Sequence, residues 1–413
     1  MKKTFTKLML LAGLLMTATG AKAGDVLYAE VSGTTLTLKC GDSAPAGTTQ
    51  FTAASDWSSA FSSTITTAVI DASCASFTGT SLGYLFYSFD HLVTITGLSN
   101  LRTNDVTDLR YMFKDCNKLT VLDLSSWNTA KVTNMSNMFY NCKNLTVLDL
   151  SSWNTAKVTS MSFMFTYCSN LKAIIVGDAW NTKAVTSSTN MFASSTALVG
   201  EDGTKGSGGT KTYAHTGAGG YLTKKTVEVS ATNVGGDYWS TCYKSNVNRV
   251  ADANTTVYSA TQSGSKLVLT EVADKNIKAG EGVILKSTGA TITLTSTTEA
   301  PAVDYTSDLS GVDVATAQED GFTYYVLSNN SGIGFYKLNS GNNLAANKAF
   351  LMLEGPVSAP ELKFVFGNET TGVADVRGKM ADGRSEVFDL QGRRVAQPTK
   401  GLYIVNGKKV VLH

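Results

Sequence analysis

The strongest constraint on the fold is an internal repeat with a period of 26 residues. The segment that begins at Trp127 returns from Trp153 with few changes, and weaker copies extend the array over residues 84–198, about four turns. A period in this range is typical of solenoids. One unit buries about ten apolar side chains at ~1.5–3 kcal/mol each, while ordering its backbone costs ~1–2 kcal/mol per residue. We therefore expect stacked units with one continuous face suited to binding.

Two patterns alternate within each unit. Apolar residues spaced i, i+3, i+4, i+7 predict a short helix, and Leu-x-x-Leu-x-Leu predicts the strand of a leucine-rich repeat. The predicted fold class is therefore mixed, with a short leucine-rich-repeat parallel β-solenoid that has one short helix per turn. The expected buried structural ladder comprises Met112, Phe113, Cys116, Met138, Phe139, Cys142, Met164, Phe165 and Cys168. The strand positions expected to point outward form the predicted ligand-binding face: Val121, Asp123, Ser125, Val147, Asp149, Ser151 and Ile175.

Residue patterns in the rest of the chain predict strands separated by turns. Short strands at regular spacing predict an antiparallel β-sandwich after the array and a small all-β module at the C-terminus, with a hairpin at Asn406–Gly407. The predicted division is a signal peptide (1–23), a β-rich cap (24–83), the solenoid with its glycine-rich exit (84–224), the sandwich (225–366), a linker (367–378) and the C-terminal module (379–413).

The N-terminus predicts export. Lysines 2, 3 and 7 precede the apolar run 8–16, and small residues at Ala21 and Ala23 fit a cleavage site near Ala23. No later apolar stretch reaches the ~18–20 residues that a spanning helix needs. An oxidising compartment permits disulfides, and Cys40 with Cys74 is the expected pair, with Cys242 left single. The repeat cysteines are expected to be buried packing residues.

Composition and motifs argue against an enzyme and against nucleic-acid binding. The net charge is +2 without a basic run, and the three histidines (His91, His215, His413) have no second ligand at metal-binding spacing. Asp123 and Asp149 are expected about 5 Å apart, the distance of a retaining glycosidase pair, but such a site also needs a cleft. The third unit has Ile175 there. We expect no cofactor or metal. For the two aspartates, the sequence leaves two interpretations, a solvated face or a binding or cation site.

The repeat unit resembles that of the BspA-type leucine-rich repeat surface proteins of bacteria, over residues 84–224. This resemblance implies a secreted or cell-surface protein, as the members of that family are. It also implies adhesion, since some members are adhesins for host matrix proteins or for other bacteria. The C-terminal unit is similar to sorting domains read by the type IX secretion system, through Gly392, Arg393, the segment 401–407, Lys408 and Lys409. The motif that usually opens such domains is not evident in residues 370–380.

The expected function is adhesion: an exported surface protein that binds an extracellular protein or glycan through its repeat face and meets the secretion machinery through its C-terminal module. The alternative is a structural spacer without an external ligand. A third hypothesis is an enzyme whose site lies in residues 225–366. It requires a concave pocket lined by carboxylates in that segment.

Overall fold

A computed structural model describes residues 26–51, 61, 63–206, 208–330 and 332–366, and the backbone alone of 387–388, 401–405 and 408–412. The predicted signal peptide and linker lie outside these residues. Three short 3-10 helices occur in the described part, at Ala72–Ser76, Leu98–Asn100 and Lys211–Tyr213. The strands are β1 (Val26–Ser32), β2 (Thr35–Gly41), β3 (Thr49–Phe51), β4 (Thr67–Ile70), β5 (Thr94–Thr96), β6 (Val147–Leu150), β7 (Ala173–Val176), β8 (Thr223–Lys224), β9 (Thr226–Ser230), β10 (Thr232–Val234), β11 (Asp237–Cys242), β12 (Asn248–Ala251), β13 (Thr255–Ser263), β14 (Lys266–Glu271), β15 (Asn276–Ile277), β16 (Val283–Ser287), β17 (Thr291–Thr297), β18 (Leu309–Val312), β19 (Phe322–Ser328), β20 (Gly334–Lys337), β21 (Lys348–Glu354), β22 (Glu361–Phe366), β23 (Val387–Phe388), β24 (Gly401–Val405) and β25 (Lys408–Leu412).

The N-terminal cap is joined directly to the repeat array. Strands β1, β2 and β3 form antiparallel pairs, and β2 then pairs in parallel with β4, which pairs in parallel with β5. Alternate residues of β2, such as Leu36 and Leu38, are buried, as expected of a strand with one face on a core. That core is continuous from Leu27 to Leu222. The cap therefore covers the open end of the array within the same hydrophobic core.

The array has five turns in register. Isolated parallel bridges link Ser81, Asp108, Asn134, Ser160 and Ser187 in sequence, one residue from each turn. Inside, the rings of Phe86, Phe113, Phe139, Phe165 and Phe192 stack with centroids 5.6–5.8 Å apart. A regular aromatic column therefore runs along the axis of the array and sets one common spacing for every turn.

The predicted helix in each turn is wrong: residues 80–202, all of which the structure describes, contain no α-helix. Successive tight turns replace it. Met138 N donates to Met135 O at 3.3 Å, whereas the alternate amide of Phe139 donates to Met164 O of the next turn at 3.0 Å. Asn137 and Asn141 have positive φ. A left-handed residue every fourth position prevents the regular i→i−4 ladder of a helix, yet returns apolar side chains to one side at the same spacing.

The strand half of the repeat forms only in part. β6 and β7 pair in parallel, and β7 pairs in parallel with β8 beyond the glycine-rich exit. The equivalent stretch of the preceding turn, residues 121–124, does not form a strand. A continuous leucine-rich-repeat sheet is therefore absent from residues 80–202, and the turn-to-turn hydrogen bonds carry the stacking instead.

The segment 225–366 also departs from the predicted antiparallel sandwich. Ten strands form one sheet in the order β10-β11-β16-β13-β14-β22-β20-β19-β21-β18, and four form a second in the order β15-β12-β17-β9. The pair β14–β22 is parallel. Side chains from both halves of the large sheet, among them Trp239, Leu269, Phe335 and Leu351, share one core, so this sheet curls upon itself. The small sheet covers only part of it through a separate core.

The C-terminal module forms a three-stranded antiparallel sheet, β23-β24-β25. Val405 pairs with Lys408, as the predicted hairpin at Asn406–Gly407 requires, although those two residues are outside the described part. Gly392 and Arg393 also lie outside it. Among the residues that the structure describes, no helix is long and apolar enough to cross a membrane.

Candidate functional site

The structural ladder forms the buried core beneath the surfaces of the array. All nine ladder side chains, from Met112 to Cys168, are fully buried. Each cysteine donates its Sγ hydrogen to a carbonyl of the preceding turn; Cys142, for example, bonds Phe113 O at 3.0 Å. Burial raises the pKa of the Cys168 thiol to about 12. These thiols are therefore packing groups, unsuited to nucleophilic chemistry at neutral pH.

The predicted ligand-binding face is divided between solvent and the chain's own second half. Val121 is 64% exposed, and Asp123 and Ser125 are exposed beside it. At the other end, Ile175 is fully buried in a small cluster with Ala173 and Val247, against which Val147 also packs. Only the first part of the face is thus open to a partner.

The two aspartates of this face are engaged separately. Asp123 Oδ1 accepts hydrogen bonds from Ser125 N at 3.1 Å and Ser125 Oγ at 2.7 Å. Asp149 accepts from Ser151 N at 3.0 Å, and its other oxygen pairs with Lys225 Nζ at 2.6 Å. Each carboxylate is therefore held by partners of its own rather than by the other aspartate.

A buried polar network joins the array to the β-rich segment that follows. Arg249, 4% exposed, pairs with Glu201 at 2.7 Å, and Lys244, 2% exposed, donates to Glu201 O at 2.7 Å. The amide of Asn246 donates to Val199 O at 2.6 Å. Because buried charges need partners, these contacts fix how the segment sits on the last turn.

A polar cleft of about 820 Å³ opens beside this junction. Its walls come from the last turn, the exit and the start of the β-rich segment, including Asp178, Lys183, His215 and Lys224. Only Asp178 among the lining residues is acidic, so the cleft lacks the carboxylate pair that an enzyme of the glycosidase type requires. Among the described residues, no group of three or more histidine, cysteine, aspartate or glutamate side chains could hold a metal ion.

The histidines and the cysteine pair that the sequence offered for chemistry also have nearby partners. His91 Nδ1 lies 2.8 Å from Asp90 Oδ1 on an exposed turn, and His215 Nδ1 lies 3.2 Å from Thr216 O. Cys40 and Cys74 are both buried thiols, so the expected disulfide is not formed. A hydrogen bond with Cys40, together with burial, raises the pKa of the Cys74 thiol. Cys74 Sγ also donates to Leu38 O at 3.4 Å.

A surface that the sequence did not single out lies on the turns themselves. We call it the tyrosine patch: Tyr84, Tyr87, Tyr111, Tyr140 and Tyr167. Tyr84 and Tyr111 stack with centroids 4.7 Å apart, and Tyr87 meets both edge-on. Tyr140 and Tyr167 form a second edge-on pair at 5.5 Å. Tyr167 is 46% exposed, and the other four rings are partly exposed.

One lysine connects the two groups of rings. Lys114 Nζ lies 5.0 Å from the ring centroids of both Tyr87 and Tyr140, and 2.6 Å from Asp115 Oδ2. Asp115 also accepts from Asn141 Nδ2 at 2.7 Å. Burial opposes the charge of Lys114, but Asp115 and Tyr87 outweigh it, so the pKa of Lys114 is raised. The patch is thus a rigid aromatic surface whose central cation is neutralised within the chain.

The backbone beneath the patch shows why these rings are unexpected. Tyr84, Tyr111 and Phe163 occupy one position of the turn, with φ of 68°, 57° and 59°, and asparagine occupies it in the other two turns. Tyr167, with φ of 61°, aligns with Asn141, and serine or aspartate occupies that position in the remaining three turns. Asparagine adopts the left-handed conformation readily, whereas other L-residues lose about 1–2 kcal/mol there. The usable sequence signal was the presence of an aromatic residue at four of these left-handed positions.

The comparisons with known proteins leave the function open. Residues 80–202, less than a third of the chain, match a family described as "Mycoplasma protein of unknown function, DUF285". No curated protein and no solved structure matches the chain.

Proposed function

We propose that this chain is an exported bacterial surface protein that binds an extracellular protein, and that the tyrosine patch is its principal contact. The observation that carries the proposal is the presence of aromatic residues, among them Tyr84, Tyr111 and Tyr167 of the patch, at left-handed positions where other turns have asparagine, aspartate or serine. Conformational cost retained at surface positions is a reason to infer function. Tyrosine supplies a large contact area at low cost in side-chain entropy.

The arrangement of the rings favours a protein over a glycan. A sugar ring would need a free aromatic face on which to lie, but Tyr84 and Tyr111 cover each other, and Lys114 lies over Tyr87 and Tyr140. Ring edges and hydroxyl groups remain on the surface. Rigid tyrosines of this kind serve as anchors in protein interfaces.

Binding by purified mature protein, residues 24–378, to an array of host matrix proteins, bacterial surface proteins and glycans tests this proposal. The informative variant is Y111N/F163N/Y167N, because each change installs the residue that other turns already use. We expect saturable capture of at least one protein by the unmodified chain and a loss of about tenfold or more in affinity, 1.4 kcal/mol, in the variant.

The matched control changes the open end of the strand face, V121S/D123N, where both side chains are exposed. It should leave capture within about twofold, which is about 0.4 kcal/mol. Loss of capture only in this control would move the site to the originally predicted face. Unchanged capture by both variants, or capture of glycans alone, would contradict the proposal. Denaturation curves verify that each variant is folded.

A structural spacer remains the second candidate, favoured by the buried network at the junction. Lys244, Asn246 and Arg249 are each at most 4% exposed and hold the β-rich segment against the last turn. Such a joint is stiff, as a spacer between two attachment points requires. This reading is supported if no ligand is captured by the full chain.

A further inference from the structure

The β-rich segment contains a cavity of about 370 Å³ that lies away from the repeat array. Its walls come mainly from β11 and β21, with apolar side chains including Trp239, Leu327 and Phe350. Asn343 and Ala345, which are exposed, also line it and mark its opening. A volume of this size lies within the range of pockets that bind small molecules.

The lining also contains polar residues, and one of them is a lysine without a counter-ion among the described residues. Lys348 Nζ donates to Ser240 Oγ at 2.7 Å, and the Ser240 hydroxyl in turn donates to Ser230 O at 3.1 Å. No described carboxylate forms an ion pair with Lys348, and burial lowers its pKa. Because an ammonium group has three donors, hydrogen-bonding capacity remains after the bond to Ser240.

The buried cations of this part of the chain have ion-pair partners, whereas the half-buried Lys348 has none among the described residues. Arg249 pairs with Glu201 at 2.7 Å, and Lys244 with Asp313 at 3.2 Å. Because Lys348 is half-buried, partial removal of its ammonium group from water costs free energy, and a carboxylate within hydrogen-bond reach would offset that cost. Among the residues described around the cavity, Lys348 is the only one that carries a charge. The group that fits is therefore a single negative charge on an apolar body.

We propose that this cavity binds a small monocarboxylate, with its carboxylate on Lys348 and its apolar part against Trp239 and Phe350. The site does not touch the tyrosine patch, so it is independent of the proposed adhesion. The hydroxyl of Ser240 orients the ammonium group towards the ligand. A neutral ligand of the same shape gains the apolar contacts but leaves the lysine unpaired.

Calorimetric titration of the full chain at pH 7 tests the site with matched probes: phenylacetate and hexanoate against phenylacetamide and hexanamide. We expect at least one acid to bind saturably and about tenfold or more tightly than its amide, a difference of 1.4 kcal/mol. This comparison uses the unmodified protein and needs no variant. K348M should abolish the preference for the acid, and K363M, at a lysine that is 76% exposed, should retain it.

Equal affinity for acid and amide would overturn the proposal, as would an unchanged preference in K348M. Absence of saturable binding by all four probes would also overturn it. Methionine retains most of the length of the lysine side chain and removes a half-buried charge that has no ion-pair partner, so thermal unfolding of K348M should occur at or above the temperature of the unmodified protein.

Discussion

At the scale of single residues, the turns separate packing from surface chemistry. Inward residues such as Phe139 are fully buried and repeat almost unchanged. The left-handed positions beside them hold asparagine in some turns and an aromatic residue in others. Backbone hydrogen bonds between turns do not depend on those side chains, so the surface can vary while the core stays constant.

The buried cysteines give a prediction at this scale. Burial raises the pKa of Cys168 to about 12 from an ordinary value of 9.0, and it also raises those of Cys116 and Cys142. The folded state therefore prefers the protonated thiol. The stability that this preference contributes is fully present below about pH 9. It is lost as the pH rises towards 12, because the unfolded chain releases its thiol protons first.

At pH 8 we expect none of these three thiols to react with a disulfide reagent in the native protein, and all three to react after unfolding in urea. Peptide mapping of the labelled cysteines is the measurement. Rapid labelling of Cys142 under native conditions would show that the turns open locally.

At the scale of elements, the junction between the array and the β-rich segment contains two ion pairs that should behave differently. Glu201 faces Arg249, which is 4% exposed, whereas Asp149 pairs with Lys225, whose side chain is 33% exposed. Removing one member of a buried pair leaves an uncompensated charge, while a partly exposed pair contributes little.

We therefore expect E201Q to lower the free energy of unfolding by about 3–5 kcal/mol and K225M to lower it by less than about 1 kcal/mol. Urea unfolding of the full chain, followed by fluorescence and circular dichroism, measures both. Similar losses in the two variants would mean that Arg249 finds another partner when Glu201 is changed.

The element scale also shows what could be predicted from the amino-acid pattern. The period and the inward residues, such as Met138 and Cys142, follow from apolar spacing alone. The helix does not, because turns with a left-handed residue at every fourth position give the same spacing, and aromatic residues at those positions carry no turn signal. The covering of Ile175 by Val247 depends on a contact distant in sequence, which a local pattern cannot show.

At the scale of the whole molecule, the β-rich segment both extends the array and closes part of its strand face. Ala173 and Ile175 are fully buried with Val247. A fragment that ends at residue 224 would expose these apolar side chains, and exposed apolar patches promote self-association.

We expect fragment 26–224 to self-associate at concentrations where the full chain is monomeric, and I175T in the same fragment to reduce that association. Size-exclusion chromatography with light scattering measures both. A monomeric fragment would indicate that the last turn rearranges to cover its own apolar surface.

The hydrogen bonds between successive turns determine how the gene can lengthen the array. Within the array, each turn stacks on the turns beside it, and the phenylalanine rings keep a spacing of 5.6–5.8 Å throughout. A tandem duplication of one 26-residue unit would therefore insert a ready-made layer without disturbing either end. The near-identity of the copies at Trp127 and Trp153 is what such a duplication leaves behind. Array length and surface composition are thus free to diverge between homologous chains, and each new layer offers a further position at which an asparagine can become an aromatic residue.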